Sequence, residues 1–454
     1  MDVQNVRNRK VAILGAARSG LAAARLLKSQ GAQVFVSDKD SEGKLKPQIS
    51  SLKSAGIPFE VGGHTDRVYD CSLMVISPGV PSDAPVVVEA HRRGIDAVSE
   101  LELASWFCKA PILAVTGSNG KTTTTTLLGR IFEHAKKKCV VAGNIGSAFS
   151  NFVLDLDQTS VAVVEVSSFQ LDHIQSFHPK AAVILNITPD HLDRYGKSFD
   201  NYIASKCRVF ENQTKEDVLI YSFDDAITSL EVRKHASQHV RVLPFSAKAR
   251  LDEGAYVERG SMMVSESGKV EEIIDVRSIS IKGLHNLYNS MAAALAARVM
   301  GVPAEPIRET LQTFEGVEHR LEFVRELNGV RYVNDSKATN VDSVWYALQS
   351  FDEPLIVLMG GRDKGNDYTK LNDLVRKHVK AIIAIGESAE KVFEAFRHIT
   401  NVERAESMEA AVRKASTLAA RGDVVLLSPA CTSFDWFDNF EHRGRVFKEI
   451  VGKL

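Results

Sequence analysis

The stretch Ala114-Val-Thr-Gly-Ser-Asn-Gly-Lys-Thr-Thr123 has the residue types of a phosphate cradle. A short apolar strand at residues 112–115 runs into a glycine-bearing turn, and a helix follows with Lys121, Thr122 and Thr123 at its start. Glycines let backbone N–H groups approach phosphate oxygens, and a helix N-terminus adds partial positive charge. Lys121 can reach the terminal phosphates, and the Thr122 hydroxyl can hold Mg²⁺. Only Gly117 and Gly120 are present, so the loop reads TGxxGKTT rather than the usual GxxxxGK[ST]. Glu165 lies in the apolar run VAVVEV, where a carboxylate is costly unless paired or metal-bound. Magnesium ligation or positioning of a water competes there with N-capping of a helix near Phe169. His191, between Asp190 and Asp193, could ligate a metal, bind a carboxylate or move a proton. Lys206, in a helical stretch at 198–211, reads from the residues alone as a solvated surface lysine. Arg320, Asp335 and Lys364 together look like an active-site wall able to neutralise charge on transferring phosphate oxygens. Phe434, Trp436, Phe437 and Phe440 read as a helix whose rings are mostly core.

Three blocks must position these side chains. In residues 1–99, strands at 11–14, 33–37 and 72–77 alternate with helical stretches at 20–30 and 84–93, the pattern of a parallel α/β sheet. Gly15-Ala-Ala-Arg-Ser-Gly20 follows the first strand and Asp38 ends the second, much as in a dinucleotide fingerprint. Ala17 replaces the middle glycine, which argues against an NAD site. A tight βα turn with a strand-end Asp, or a uridine or ribose contact, are the other readings. In residues 100–316, strands at 139–142, 161–166, 181–187 and 218–221 follow the phosphate loop. Asn144, Glu165, Ser167, Ser168, Asn186, Asp190 and His191 cluster at their C-terminal ends, where open parallel sheets bind ligands. Residues 230–282 are expected to contain β-structure, and Gly283-Leu-His-Asn-Leu-Tyr-Asn289 opens an Ala-rich helix ending near Gly301. In residues 317–454, strands at 329–334, 355–359, 381–385 and 424–427 alternate with helices such as 408–420, giving a second Rossmann-like sheet.

Composition bounds the function classes. The 56 basic and 57 acidic residues nearly cancel, which argues against a dedicated nucleic-acid binder. The five cysteines have no CxxC spacing and read as free thiols. With no signal peptide and no apolar run near the ~18 residues of a membrane span, a cytoplasmic location is expected.

TGSNGKTTT, VEVSSFQL, NITPDHLDRY, GxHNxxN, EHR and NDSKATN occur in a fixed order through all three blocks. The set strongly resembles the Mur ligases, the ATP-dependent amino-acid-adding enzymes of peptidoglycan synthesis. Residues 334–340 and the SPACTSFD stretch at 428–435 resemble its D-glutamate-adding members. Folylpolyglutamate synthetase shares the loop type and architecture but is less similar. The resemblance implies three α/β domains: 1–99 for the UDP-substrate, 100–316 for ATP on a P-loop ATPase-like parallel sheet, and 317–454 for D-glutamate. It implies UDP-substrate contacts at Ser19, Asp38, Gly79, Asn144 and His191. It implies ATP contacts at Gly117, Ser118, Asn119, Gly120, Lys121, Thr122, Thr123, Asn289, Arg320 and Asp335. Two Mg²⁺ would be held by Thr122, Glu165, His191 and Lys206, with Lys206 as an N-carboxylated lysine. D-glutamate would meet Lys337, Thr339, Lys364, Ser433 and Phe440. Lys121, Glu165, His191, Lys206 and Arg320 would be the catalytic set, and a monomer is expected.

The implied reaction activates the carboxylate of UDP-N-acetylmuramoyl-L-alanine as an acyl phosphate, which the amine of D-glutamate then attacks. Closure of the third domain over the second is expected to exclude water from that intermediate. Competing readings are a nicotinamide-dependent dehydrogenase with a regulatory ATP site and an ATP-driven switch.

Overall fold

Valine- and alanine-rich strands with few polar residues set the architecture, because a strand buried on both faces reads as a continuous apolar run. The computed structural model describes residues 5–144, 146–236, 240–363 and 365–454. Its first sheet comprises β1 (Lys10–Leu14), β2 (Gln33–Asp38), β3 (Phe59–Val61), β4 (Leu73–Ile76) and β5 (Asp96–Ser99), all parallel in the order β3-β2-β1-β4-β5.

The second sheet holds β6 (Ile112–Thr116), β7 (Cys139–Gly143), β8 (Val161–Glu165), β9 (Ala181–Ile184), β10 (Val218–Ser222), β11 (Arg241–Ser246), β12 (Gly254–Glu258), β13 (Ser261–Glu266) and β14 (Lys269–Asp275). Its order is β14-β13-β12-β11-β10-β9-β6-β8-β7. The sheet is mixed rather than parallel throughout: β12–β13 and β13–β14 pair antiparallel and account for the β-structure expected after residue 230. Strand β6, which feeds the phosphate loop, lies between β8 and β9, so the loop, Glu165 and the segment after Ile184 emerge side by side. That is the strand-end position where open α/β sheets gather ligands.

The third sheet comprises β15 (Glu322–Leu327), β16 (Val330–Asn334), β17 (Leu355–Gly360), β18 (Val379–Ile385), β19 (Asn401–Arg404) and β20 (Val424–Leu427), ordered β15-β16-β20-β17-β18-β19. It is parallel except for β15. The chain divides into two compact units. One takes the residues up to Ser280 with Leu287–Phe314, so the first two sheets belong together; the other takes Ile281–Asn286 with Glu315–Leu454. Among the described residues, no helix is long and apolar enough to cross a membrane.

Phe434, Trp436 and Phe437 depart from the expected helix. The helix begins only at Phe440, capped by Asn439, whose side chain accepts from the His442 N–H. Phe434 and Trp436 are exposed rather than core.

Candidate active site

The phosphate loop joins β6 to the helix Lys121–His134, and Gly120, at φ +88°, starts that helix from the left-handed region. A Cβ on Gly120 would fall 2.2 Å from Oδ1 of Asn289, so a side chain there meets both backbone strain and a collision. This contact brings Asn289 against the loop from far along the chain. The loop is also tied to the segment after β9. Asn119 N–H donates to Asn186 Oδ1 at 2.9 Å, and Asn186 Nδ2 donates to the Asn119 carbonyl at 3.1 Å. Ser118 Oγ donates to the Thr188 carbonyl at 2.8 Å. Lys121 Nζ folds over the loop and donates to the carbonyls of Gly117 and Ser118 at 2.8 and 2.9 Å.

Glu165 is buried at the end of β8 and serves no helix. The following helix is capped by Ser167, which forms a capping box with Gln170. The carboxylate faces the phosphate loop instead: Thr122 Oγ1 donates to its Oε2 at 2.8 Å and Asn144 Nδ2 to its Oε1 at 3.2 Å. Lys206, read as a surface residue, is 2% exposed. Its Nζ donates to the Gly117 carbonyl at 2.8 Å and lies 4.7 Å from the Tyr202 ring centroid. Burial, and then the neighbouring Lys121 cation, push its pKa well below the ordinary lysine value, against the pull of Asp190 and Glu165. His191 sits at φ +52° with its imidazole 36% exposed, edge-on to Phe169 at 5.1 Å.

The donors around the loop fit a magnesium ion. The hard oxygens of Thr122 and Glu165 already converge, and Thr123 Oγ1 is buried without a hydrogen-bond partner among the described residues.

A cavity of about 380 Å³ opens at the C-terminal ends of the first sheet, and Ser19, Asp38, Gly79 and Asn144 all line it. Asp38 also shapes the turn, because its Oδ2 accepts from Ala16 N–H at 2.6 Å and its Oδ1 from Asp40 N–H at 2.8 Å. Asn144 belongs both to this cavity and to the Glu165 cluster, so the two are contiguous.

In the second unit, Asp335 is buried at the end of β16. It accepts from Leu321 N–H at 3.2 Å and from Ser428 Oγ at 2.8 Å. Burial raises its pKa to about 7, against the pull of the nearby Arg320 cation. Lys337 Nζ stands 4.9 Å from the ring centroid of Phe440. Ser433 is buried and Thr339 half-buried, while Lys364 lies outside the described residues.

A family model for the Mur ligase middle domain matches residues 115–297. Models for the Mur ligase glutamate ligase domain and the MurD N-terminal domain match 319–431 and 10–86. The UDP-N-acetylmuramoylalanine–D-glutamate ligases of Salinibacter ruber and Chloroherpeton thalassium are 47% and 46% identical to this chain, each across 100% of both chains. The chain belongs to the Mur ligase family, in its D-glutamate ligase branch. The fold agrees: a UDP-N-acetylmuramate–alanine ligase from Thermotoga maritima, 19% identical, superposes with a TM-score of 0.63 over 98% of this chain and 99% of that one. The dehydrogenase reading of the first block is replaced by that of a Mur ligase N-terminal domain.

Within this Mur ligase, sequence reasoning missed Arg443. It is 1% exposed and joins two motifs: Nε and Nη2 donate to the Ser336 hydroxyl and carbonyl at 2.9 and 2.7 Å, and Nη1 to the Cys431 carbonyl at 3.1 Å. It thereby holds the loop bearing Lys337 beside the one bearing Ser433. Its place one turn after Phe440 was the only available signal, and that spacing does not separate a buried arginine from a surface one.

Proposed function

We propose that this chain joins the carboxylate of UDP-N-acetylmuramoyl-L-alanine to the amine of D-glutamate, converting ATP to ADP and phosphate. The observation that carries the reading is the convergence of Thr122, Glu165, Asn144 and Lys206 on the phosphate loop of a D-glutamate-ligase family member, with Asn144 shared by the adjoining cavity. On this reading the cavity takes the UDP end of the substrate through Ser19, Asp38 and Gly79. The substrate's carboxylate then lies beside Asn144 and His191, next to the γ-phosphate. Gly117, Ser118, Asn119, Gly120, Lys121, Thr122, Thr123, Asn289, Arg320 and Asp335 are the proposed ATP contacts. Lys337, Thr339, Lys364, Ser433 and Phe440 hold D-glutamate. The domains on this reading are 1–99, 100–316 and 317–454, and the enzyme acts as a cytoplasmic monomer.

Thr122 and Glu165 would hold one magnesium ion, and His191 with Lys206 a second. Magnesium, when bound, neutralises charge on the phosphoryl oxygens. Burial that disfavours the Lys206 cation favours the neutral amine. That amine can add CO₂, lose a proton and become a carbamate, an anionic oxygen ligand in place of a cation. A substrate carboxylate oxygen attacks the γ-phosphorus and ADP leaves, with Lys121 and Arg320 offsetting the charge. The D-glutamate amine attacks the acyl carbon, loses a proton to a base for which His191 is a candidate, and the tetrahedral intermediate expels phosphate. The test is substrate labelled with ¹⁸O in its carboxylate. The mechanism expects one labelled oxygen in the released phosphate; unlabelled phosphate would mean that water, not carboxylate, attacks ATP.

A further inference from the structure

We propose that Arg194 is a positioning residue that fixes the span between the cavity of the first sheet and His191, and so selects substrates by the distance from nucleotide to carboxylate. The inference rests on the reading above of that cavity as the UDP end and of His191 as the carboxylate end. Arg194 lies just after His191, in the short helix Leu192–Tyr195. Its Nη2 donates to the carbonyl of Val80 at 3.0 Å and to that of Pro78 at 3.4 Å. Those carbonyls flank Gly79, and all three residues line the cavity. The same guanidinium lies over the Phe169 ring, 4.2 Å from its centroid, and Phe169 meets the His191 ring edge-on. One side chain therefore grips the cavity rim by hydrogen bonds and, through one aromatic ring, buttresses the imidazole.

The residue type suits this double task. A planar guanidinium can stack on a ring with its face while its edge donates hydrogen bonds, whereas an ammonium does one or the other. The rim is held at a second point, because Ser82 Oγ and His173 Nε2 are 2.9 Å apart. Two anchors, from the segments that follow β8 and β9, thus pin the turn that follows β4. His191 itself sits in a left-handed backbone conformation, a strained geometry of the kind that clusters at ligand sites. A substrate whose two ends match this fixed span binds both without reorganisation, which is where pre-organised sites gain affinity.

The test compares Arg194→Lys and Arg194→Met with the parent enzyme and measures kcat, the three KM values, the melting midpoint and binding of UDP alone. The expected result is a rise of about tenfold in KM for UDP-N-acetylmuramoyl-L-alanine, the scale of a lost charge-assisted hydrogen bond. KM for ATP and D-glutamate and the affinity for UDP alone should stay within about twofold, and preference for the L-alanyl nucleotide over the β-alanyl one, whose carboxylate lies one methylene further from the nucleotide, should shrink. Phe169→Leu should move the same constants in the same direction. Unchanged KM for the UDP-substrate would overturn the proposal, as would a uniform rise in all three KM values together with a fall in the melting midpoint, the mark of a purely structural arginine. Absence of ligation by the parent enzyme would instead overturn the ligase reading itself.

Discussion

A lysine amine at 2% exposure, with the carbonyl of Gly117 as an acceptor and a second lysine as neighbour, is held in an unfavourable place for a cation. Groups so buried and shifted concentrate at functional sites. Lys206→Ala is therefore expected to lose ligation, and Lys206→Glu, which puts a carboxylate near the same place, to retain some; full activity of Lys206→Ala would reject the carbamate role. Lys121→Ala is expected to lower turnover by about 10³-fold or more, the scale of losing a preorganised charge at a transferring phosphoryl group. Near-normal turnover would reject the loop as the ATP site. At this scale the sequence was uneven. Gly117 to Thr123 announce themselves because their roles are local, in one turn and one helix start. Lys206 and Arg443 do not, because their burial depends on partners brought from elsewhere in the chain: Gly117 for the first, Ser336 and Cys431 for the second.

Elements hold these groups in register through buried polar anchors that no motif marks. Glu102, fully buried in the helix Glu100–Ser105, accepts from the N–H groups of Gln175, Ser176 and Phe177, from the Ser176 hydroxyl and from Trp106 Nε1. Glu102→Ala would leave those donors unpaired, and we expect a loss of about 3 kcal/mol or more by chemical denaturation. His173 makes a pH prediction. Burial lowers its pKa to about 4, so the folded state binds fewer protons than the unfolded one. Its contribution is present above the unfolded pKa and is lost as pH falls from about 6.5 to about 4. His173→Gln should flatten the stability-against-pH curve across that window; an unchanged slope would contradict the assignment. The central strands were legible because runs such as VAVVE are apolar throughout. The edge strands β3 and β19 were not, being short and only partly buried. The aromatic cluster at 434–437 misled because ring density alone does not separate a core helix from an exposed turn.

At the scale of the whole molecule, the phosphate loop, the residues proposed to hold magnesium and the cavity proposed for the UDP end belong to one compact unit, and the residues proposed for D-glutamate that are described belong to the other. An order of motifs along the chain suggested this division of labour. What the sequence left out is that Asn144 joins the cavity to the Glu165 cluster, a fact of packing between two sheets. On the proposed reading, that junction is where a carboxylate arriving from the cavity side would meet the phosphoryl group. The most direct measurement is phosphate release by the full-length protein with ATP and magnesium, omitting UDP-N-acetylmuramoyl-L-alanine and D-glutamate in turn and replacing D- with L-glutamate. Sustained release that requires both substrates and the D-isomer is the predicted result. Release that persists without either substrate, or that runs equally with L-glutamate, would contradict a D-glutamate ligase.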